Sequence, residues 1–148
     1  MVDLFLSSYK NKIDSKGRVS LPSQFREIVT SSSKEKSIVI YKSLLSNTLE
    51  GCTIDYMQKM YEKIENLDEF SNEKSLFSIA IFGDSIILNI DDDGRINLPK
   101  KYTEYANIQD QIIFVGKGKK FEICNDIIFD DYQENARKFA INNLKIIK

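Results

Sequence analysis

Between residues 10 and 18 the chain places Lys10, Lys12, Lys16 and Arg18 against a single carboxylate, Asp14. Ammonium and guanidinium groups at this density suit the binding of phosphate oxygens, and an arginine can also donate two parallel hydrogen bonds to O6 and N7 of guanine. Asn11 lies among them. Its amide could pair with adenine or bond a phosphate, and the sequence leaves both open. Within residues 1–42 eight cations face four anions, in a chain whose net charge is −1. A partner feels the local field, so a near-neutral total does not exclude a cationic binding patch.

Other chemistries find little support. The chain has no histidine, which removes the commonest general base and metal ligand, and with them zinc-hydrolase and Ser-His-Asp mechanisms. Cys52 and Cys124 form no C-x-x-C pair and read as free thiols packed as small hydrophobes in a reducing compartment. Asp91, Asp92 and Asp93 could attract a metal, but adjacent carboxylates on a turn are ordinarily solvated, and no further ligand set accompanies them. No catalytic residue, metal, cofactor or small-molecule substrate is therefore expected. Residues 1–6 are too short, and at Asp3 too acidic, for a signal peptide. No apolar run approaches the ~18 residues of a membrane span, so the expected location is the cytoplasm.

The elements that must position the basic residues are legible because the chain repeats itself. Residues 12–27 (KIDSKGRVSLPSQFRE) align without a gap with residues 89–104 (NIDDDGRINLPKKYTE). Identities fall at Ile13/Ile90, Asp14/Asp91, Gly17/Gly94, Arg18/Arg95, Leu21/Leu98, Pro22/Pro99 and Glu27/Glu104. A looser match joins residues 37–41 to 111–115. In each copy an aromatic and β-branched strand (9–13, 86–90) leads into a D-x-x-G-R turn. Asp14 and Asp91 are read as turn residues that accept backbone N–H groups, and Gly17 and Gly94 as positions of positive φ. Arg95 is read as structural. Arg18 recurs with it, so turn-building and DNA contact are both open on residues alone. Val19 and Leu21, like Ile96 and Leu98, alternate as in a half-buried strand. Pro22 and Pro99 then suit the first turn of a short helix, with Phe25, Ile28 and Val29, or Tyr102, Tyr105 and Ala106, facing inward. A strand closes each copy (38–41, 112–115).

Helical spacing links Tyr56, Met57, Met60, Tyr61, Ile64 and Leu67; residues 72–82 carry Leu76, Phe77, Ala80 and Ile81; and Phe129, Tyr132, Ala136, Phe139 and Ala140 form a last stripe capped by Asp126. These stripes read as core or subunit packing. The loop between Tyr41 and Gly51 is expected at the surface and residues 142–148 to fray. One copy alone would leave too many strand edges open, so two in tandem point to a pseudo-twofold unit whose hairpins interleave into one barrel. The expected division is a first repeat over 1–54, connecting helices over 55–83, a second repeat over 84–125, and a C-terminal helix and tail over 126–148. The two turns differ in charge: phosphate should be attracted to the first and repelled by the three adjacent carboxylates of the second.

The pattern N-K-x-D-x-K-G-R-x-x-L-P over 11–22, its partner D-x-x-G-R-x-x-L-P over 91–99, the stretch V-G-K-G-K-K-F-E-I over 115–123 and L-E-G-C over 49–52 together resemble the MraZ family, in order and over nearly the whole chain. The resemblance implies an α+β, mainly β fold of two tandem AbrB-like swapped-hairpin modules forming a pseudo-twofold double-split β-barrel with flanking helices. It also implies a homo-oligomeric ring that binds double-stranded DNA at promoter repeats of the division and cell-wall gene cluster, associated with the nucleoid and needing no cofactor. On that reading Lys10, Asn11, Lys12, Lys16 and Arg18 bind DNA. The alternative is an AbrB-like scaffold for protein assembly without specific DNA binding.

Overall fold

A computed structural model describes residues 3–32 and 36–148. The first repeat supplies β1 (Ser8–Lys12), β2 (Arg18–Ser20), α1 (Ser23–Ser32), β3 (Ser37–Lys42) and β4 (Leu49–Cys52). Helices α2 (Ile54–Glu65) and α3 (Asn72–Ile81) follow. The second repeat gives β5 (Ile86–Asn89), β6 (Arg95–Asn97), α4 (Lys100–Tyr105), β7 (Gln111–Gly116) and β8 (Lys120–Asn125), and α5 (Asp126–Asn142) closes the chain with a 3-10 turn at Leu144–Ile147.

Six strands form one antiparallel sheet in the order β1-β7-β8-β4-β3-β5, and β2 pairs with β6 in a separate two-stranded ribbon. Exchanging the repeats leaves that order unchanged. The first strand of each copy lies against the third strand of the other, Tyr9 opposite Phe114 and Leu88 opposite Ile38. The sheet is open, with β1 and β5 as its edges, and no closed barrel forms among the described residues. Nor does strand dominate by residue count: among the described residues the five helices hold more residues than the eight strands, because α2, α3 and α5 are long.

The core lies between one face of the sheet, the ribbon and α1 with α4. Phe5, Phe25, Phe114 and Phe121 meet at its centre, with the Phe25 and Phe121 rings 5.2 Å apart. The alternating pairs Val19/Leu21 and Ile96/Leu98 are all buried. So are Phe25, Ile28, Val29, Tyr102 and Ala106, as the repeat pattern requires, while Tyr105 is only partly buried.

Three local expectations need correction. The segment between Tyr41 and Gly51 is not a surface loop throughout: Ser43, Thr48, Leu49 and Glu50 are buried, and Leu49–Cys52 is a central strand. Gly51 is there because the Phe121 ring occupies the space of a Cβ, at 2.4 Å. The cap of α5 is Asn125, whose side chain accepts from Ile128 N–H, with Asp126 the first helical residue. Finally, the tail does not fray from residue 142. The Asn143 side chain donates to Phe139 O at 2.8 Å, and a 3-10 turn follows. Of the two roles read for the α5 stripe, core or subunit packing, the core is not where it lies: no residue of the helix is buried, and Phe139 is 62% exposed.

On the other face of the sheet, Val39, Tyr41 and Cys52 pack under Tyr56 and Met57 of α2. At the centre, Glu50 and Glu122 stand directly opposite across β4 and β8, both buried. The Lys117 ammonium bridges them, 3.5 Å from Glu50 Oε1 and 2.9 Å from Glu122 Oε1. Lys120 approaches Glu50 Oε2 at 3.5 Å, and Thr48 and Tyr132 donate to Glu122.

Candidate nucleic-acid interface

The two D-x-x-G-R turns have the same skeleton. In the first, Asp14 Oδ1 accepts from the backbone N–H groups of Lys16 and Arg18, both at 2.9 Å, and Gly17 N–H donates to Asp14 O at 3.0 Å. In the second, Asp91 Oδ1 accepts from Asp93 and Arg95, both at 2.9 Å, and Gly94 N–H donates to Asp91 O. Both glycines have positive φ, +88° and +80°, which an L side chain rarely tolerates. The Arg18 backbone N–H bond, outweighing a smaller desolvation effect, holds the exposed Asp14 carboxyl below its ordinary range, and the bond from Arg95 does the same for Asp91. Both carboxylates therefore stay charged, acceptor-only groups that fix the turn.

On this shared frame the side chains diverge. Lys16 projects exposed at the first tip. Arg18 is half-buried, its Nε donating to Asp14 Oδ2 at 2.7 Å. That bond anchors the guanidinium plane and leaves its two Nη groups without a hydrogen bond among the described residues, the edge that would address guanine end-on. At the second turn Asp91, Asp92 and Asp93 are all exposed, and Arg95 is drawn between Asp91 and Asp93 at 3.3 Å each. Among the described residues no group of three or more His, Cys, Asp or Glu side chains is placed to hold a metal.

The remaining sequence-derived candidates split by face. Lys10 and Lys12 are exposed on edge strand β1. Asn11 alternates with them and points the other way, its Nδ2 donating to Ser20 O at 2.7 Å. That bond ties β1 to the ribbon and engages the amide that a contact with adenine would use. Tyr9 shares this inner face, with its hydroxyl on Gln24 and its ring edge-on to Phe25.

Each turn also rests on the other repeat. Leu98 N–H donates to Gly17 O at 2.8 Å, and in mirror fashion Leu21 N–H donates to Gly94 O at 3.0 Å. A Cβ on Gly17 would lie 2.4 Å from Leu98 O. This crossing brings Lys100 of α4 beside the first turn, where the two segments line a common cleft. In the sequence, the segment after Pro99 reads as a short helix with Tyr102, Tyr105 and Ala106 facing inward, and Lys100 carries no role there. The signal was in the repeat alignment, where Lys100 and Lys101 replace Ser23 and Gln24, but it acquires meaning only once the strands are seen to cross.

Comparison with known proteins fits this doubled arrangement. Residues 81–144 match the family model described as "MraZ protein, putative antitoxin-like". A protein of Rickettsia bellii (strain OSU 85-389) named "Transcriptional regulator MraZ" is 40% identical over 142 residues, covering 94% of this chain and 93% of its own. The chain belongs to the MraZ family. Likeness at 38% over 141 residues extends to the MraZ of Rickettsia akari (strain Hartford), again over 94% of this chain and 93% of that one. The match to these MraZ proteins spans both repeats, whereas the family model covers mainly the second. Among the described residues no helix is long and apolar enough to cross a membrane.

Proposed function

We propose that this MraZ-family chain is a transcriptional regulator that binds duplex DNA in a sequence-specific manner through the turn of its first repeat. One observation carries the reading: two turns with the same backbone hydrogen bonds present opposite charge, Lys16 and Arg18 on one and three aspartates on the other. A constraint of folding alone would explain what the turns share, Asp, Gly and Arg. It does not explain why one tip became cationic. The name carried by the Rickettsia relatives, transcriptional regulator, supports the same assignment.

In this mechanism the turn enters the major groove, Arg18 reads guanine while Asp14 holds its plane, and Lys16, Lys10 and Lys12 position the protein on phosphates. Asn11 contributes through its hold on Ser20 as well as any contact of its own. Neutralising about three phosphates per turn gives a loss of a few tens of fold in affinity between about 50 and 200 mM salt. One such contact is weak, so the reading includes a homo-oligomeric ring that presents several turns to spaced promoter repeats and gains by avidity. Exposed Leu76, Phe77 and Ile79 on α3, with Phe139 and Ile141 on α5, supply apolar surface for such an assembly. The interleaved strand pairing supports the AbrB-like swapped-hairpin description and the division into repeats over 1–54 and 84–125, joined by 55–83 and followed by 126–148. The target is proposed as the promoter of the division and cell-wall gene cluster, and the location as the nucleoid.

The test is a mobility shift and footprint on the DNA upstream of its own gene. Lys16→Ala with Arg18→Ala should abolish the shift while particle mass and thermal unfolding stay near wild type. A shift that survives the pair refutes the site, and a wild-type protein that ignores duplex DNA at low salt leaves the assembly-scaffold reading in its place.

A further inference from the structure

The crossing of the repeats sorts charge to the two ends of the β2–β6 ribbon. At one end, residues 14–18 and 97–104 bring together Lys16, Arg18, Lys100 and Lys101 against Asp14 and Glu104. At the other, the matching windows 91–95 and 20–27 bring Asp91, Asp92, Asp93 and Glu27 against Arg95 and Arg26. Four cations meet two anions at the first end and the ratio is reversed at the second. Half of the cationic end comes from the repeat whose own turn is acidic.

A cleft of about 330 Å³ opens at that cationic end, lined by Asp14, Ser15 and Lys16 of the first turn and by Lys100, Thr103 and Glu104 of α4. We propose that Lys100 binds a backbone phosphate of duplex DNA across this cleft from Lys16, so that the DNA-binding surface is built from both repeats. The inference rests on the DNA-binding reading above and adds to it a residue from the second repeat. The two carboxylates in the cleft are already partnered. Asp14 is held by Arg18 at 2.7 Å, and Glu104 lies 3.6 Å from Lys100 in a pair whose side chains are 65% and 85% exposed. Exposed pairs one helical turn apart are weak, so an arriving phosphate displaces Glu104 from Lys100 at little cost. Lys101 differs: its ammonium sits 4.9 Å over the Tyr102 ring, and it does not line the cleft. It is a control of equal charge, one residue away.

The experiment measures the salt dependence of binding by the full chain to the duplex upstream of its own gene and to a scrambled duplex of equal length. Lys100→Ser, which installs the residue found at that place in the first repeat, should weaken binding to both duplexes alike, by about five- to tenfold per engaged turn near 0.1 M salt, and lower the slope of log K against log salt by about 1 for each engaged turn. Glu104→Gln should tighten binding. Lys101→Gln should leave the slope unchanged. An unaltered slope for Lys100→Ser while Lys16→Ala loses binding overturns the inference and leaves the first-turn reading intact. Equal losses for Lys100→Ser and Lys101→Gln also overturn it, since they show only a diffuse field. If wild type binds neither duplex at low salt, the DNA-binding reading falls and takes this one with it.

Discussion

Two glycines with nearly the same φ test whether the first turn is wedged against the second repeat. Gly17 has φ +88° and Gly118 has φ +86°. Replacing either by alanine incurs the left-handed penalty of about 1–2 kcal/mol, offset by about 0.4–1 kcal/mol from a less flexible unfolded chain. For Gly118 nothing lies within 4 Å of the new Cβ, so Gly118→Ala should cost about 1 kcal/mol or less. For Gly17 the new Cβ falls 2.4 Å from Leu98 O and 3.1 Å from Asn97 Oδ1. The first gap is about 1 Å short of ordinary contact, and the obstacle is backbone, which cannot swing away. The turn must lift, weakening the 2.8 Å bond from Leu98 N–H to Gly17 O. A lost buried hydrogen bond and local strain add about 2 kcal/mol, for a total of about 3. In a chain of this size that separates the two variants by roughly 4–8 °C in Tm. Thermal unfolding by circular dichroism, with urea titration alongside, measures the difference. Equal costs for the two alanines would refute the close crossing, and with it the composite cationic end that depends on it.

Two further outcomes follow from the other face of the sheet. Lys117→Met should destabilise by about 2–3 kcal/mol, less than a fully buried pair because a third of the lysine side chain reaches solvent, since it strands Glu50 and Glu122 facing each other. Burial pushes the Glu122 carboxyl up, but Thr48, Lys117 and Tyr132 outweigh it and hold it below its ordinary 4.5. Its contribution is therefore present above that value and lost as pH falls through the depressed one. Urea unfolding across acid pH should show the cost of Lys117→Met shrinking as pH falls below about 4.5, because protonation relieves the stranded carboxylates while the wild type loses its bridge; a cost that stays constant or grows on acidification would contradict the bridging role. Burial pushes the Cys52 and Cys124 thiols up to about 12, so at neutral pH a thiol reagent should label both only as fast as the chain opens, and rapid labelling of the native protein would count against their placement.

Much of this arrangement was readable beforehand because the residues that specify it are local. Asp14, Gly17 and Pro22 each impose a conformation on their own few neighbours, and all three have counterparts in the second copy. What was not readable depends on partners distant in the chain. β4 escaped notice because Leu49-Glu50-Gly51-Cys52 carries a charge and a glycine, both poor strand formers. Glu50 is tolerated because Lys117 and Lys120 arrive from 67 or more residues away to partner it, beside the nearer Ser43 hydroxyl, and Gly51 is required because Phe121 needs the room. The same holds for the candidate site. The sequence placed Lys16 and Arg18 on the first turn, and local chemistry sufficed for that. Asn11 lies between Lys10 and Lys12 in the chain, and its bond to Ser20 O, which alternation along β1 allows, becomes visible only in the fold. Lys100 looked like a helix residue of the acidic repeat, yet the bond between Leu98 and Gly17 carries it to the basic end.

That contrast has a consequence for how a duplicated scaffold divides its labour. If each repeat folded separately, a substitution in one copy would alter the charge of that copy alone. With the strands exchanged, the surface around either turn is shared, and the second repeat can carry an acidic turn of its own, Asp91, Asp92 and Asp93, while still adding Lys100 to the surface of the first. The acidic turn keeps the full set of backbone bonds from Asp91 and Gly94, so its geometry survives as half of the clamp that seats the ribbon. Likeness of shape with reversal of charge is therefore what the pairing of β2 with β6 permits: both turns are needed to build the ribbon, and on the proposed function only one of its ends is needed to hold a polyanion.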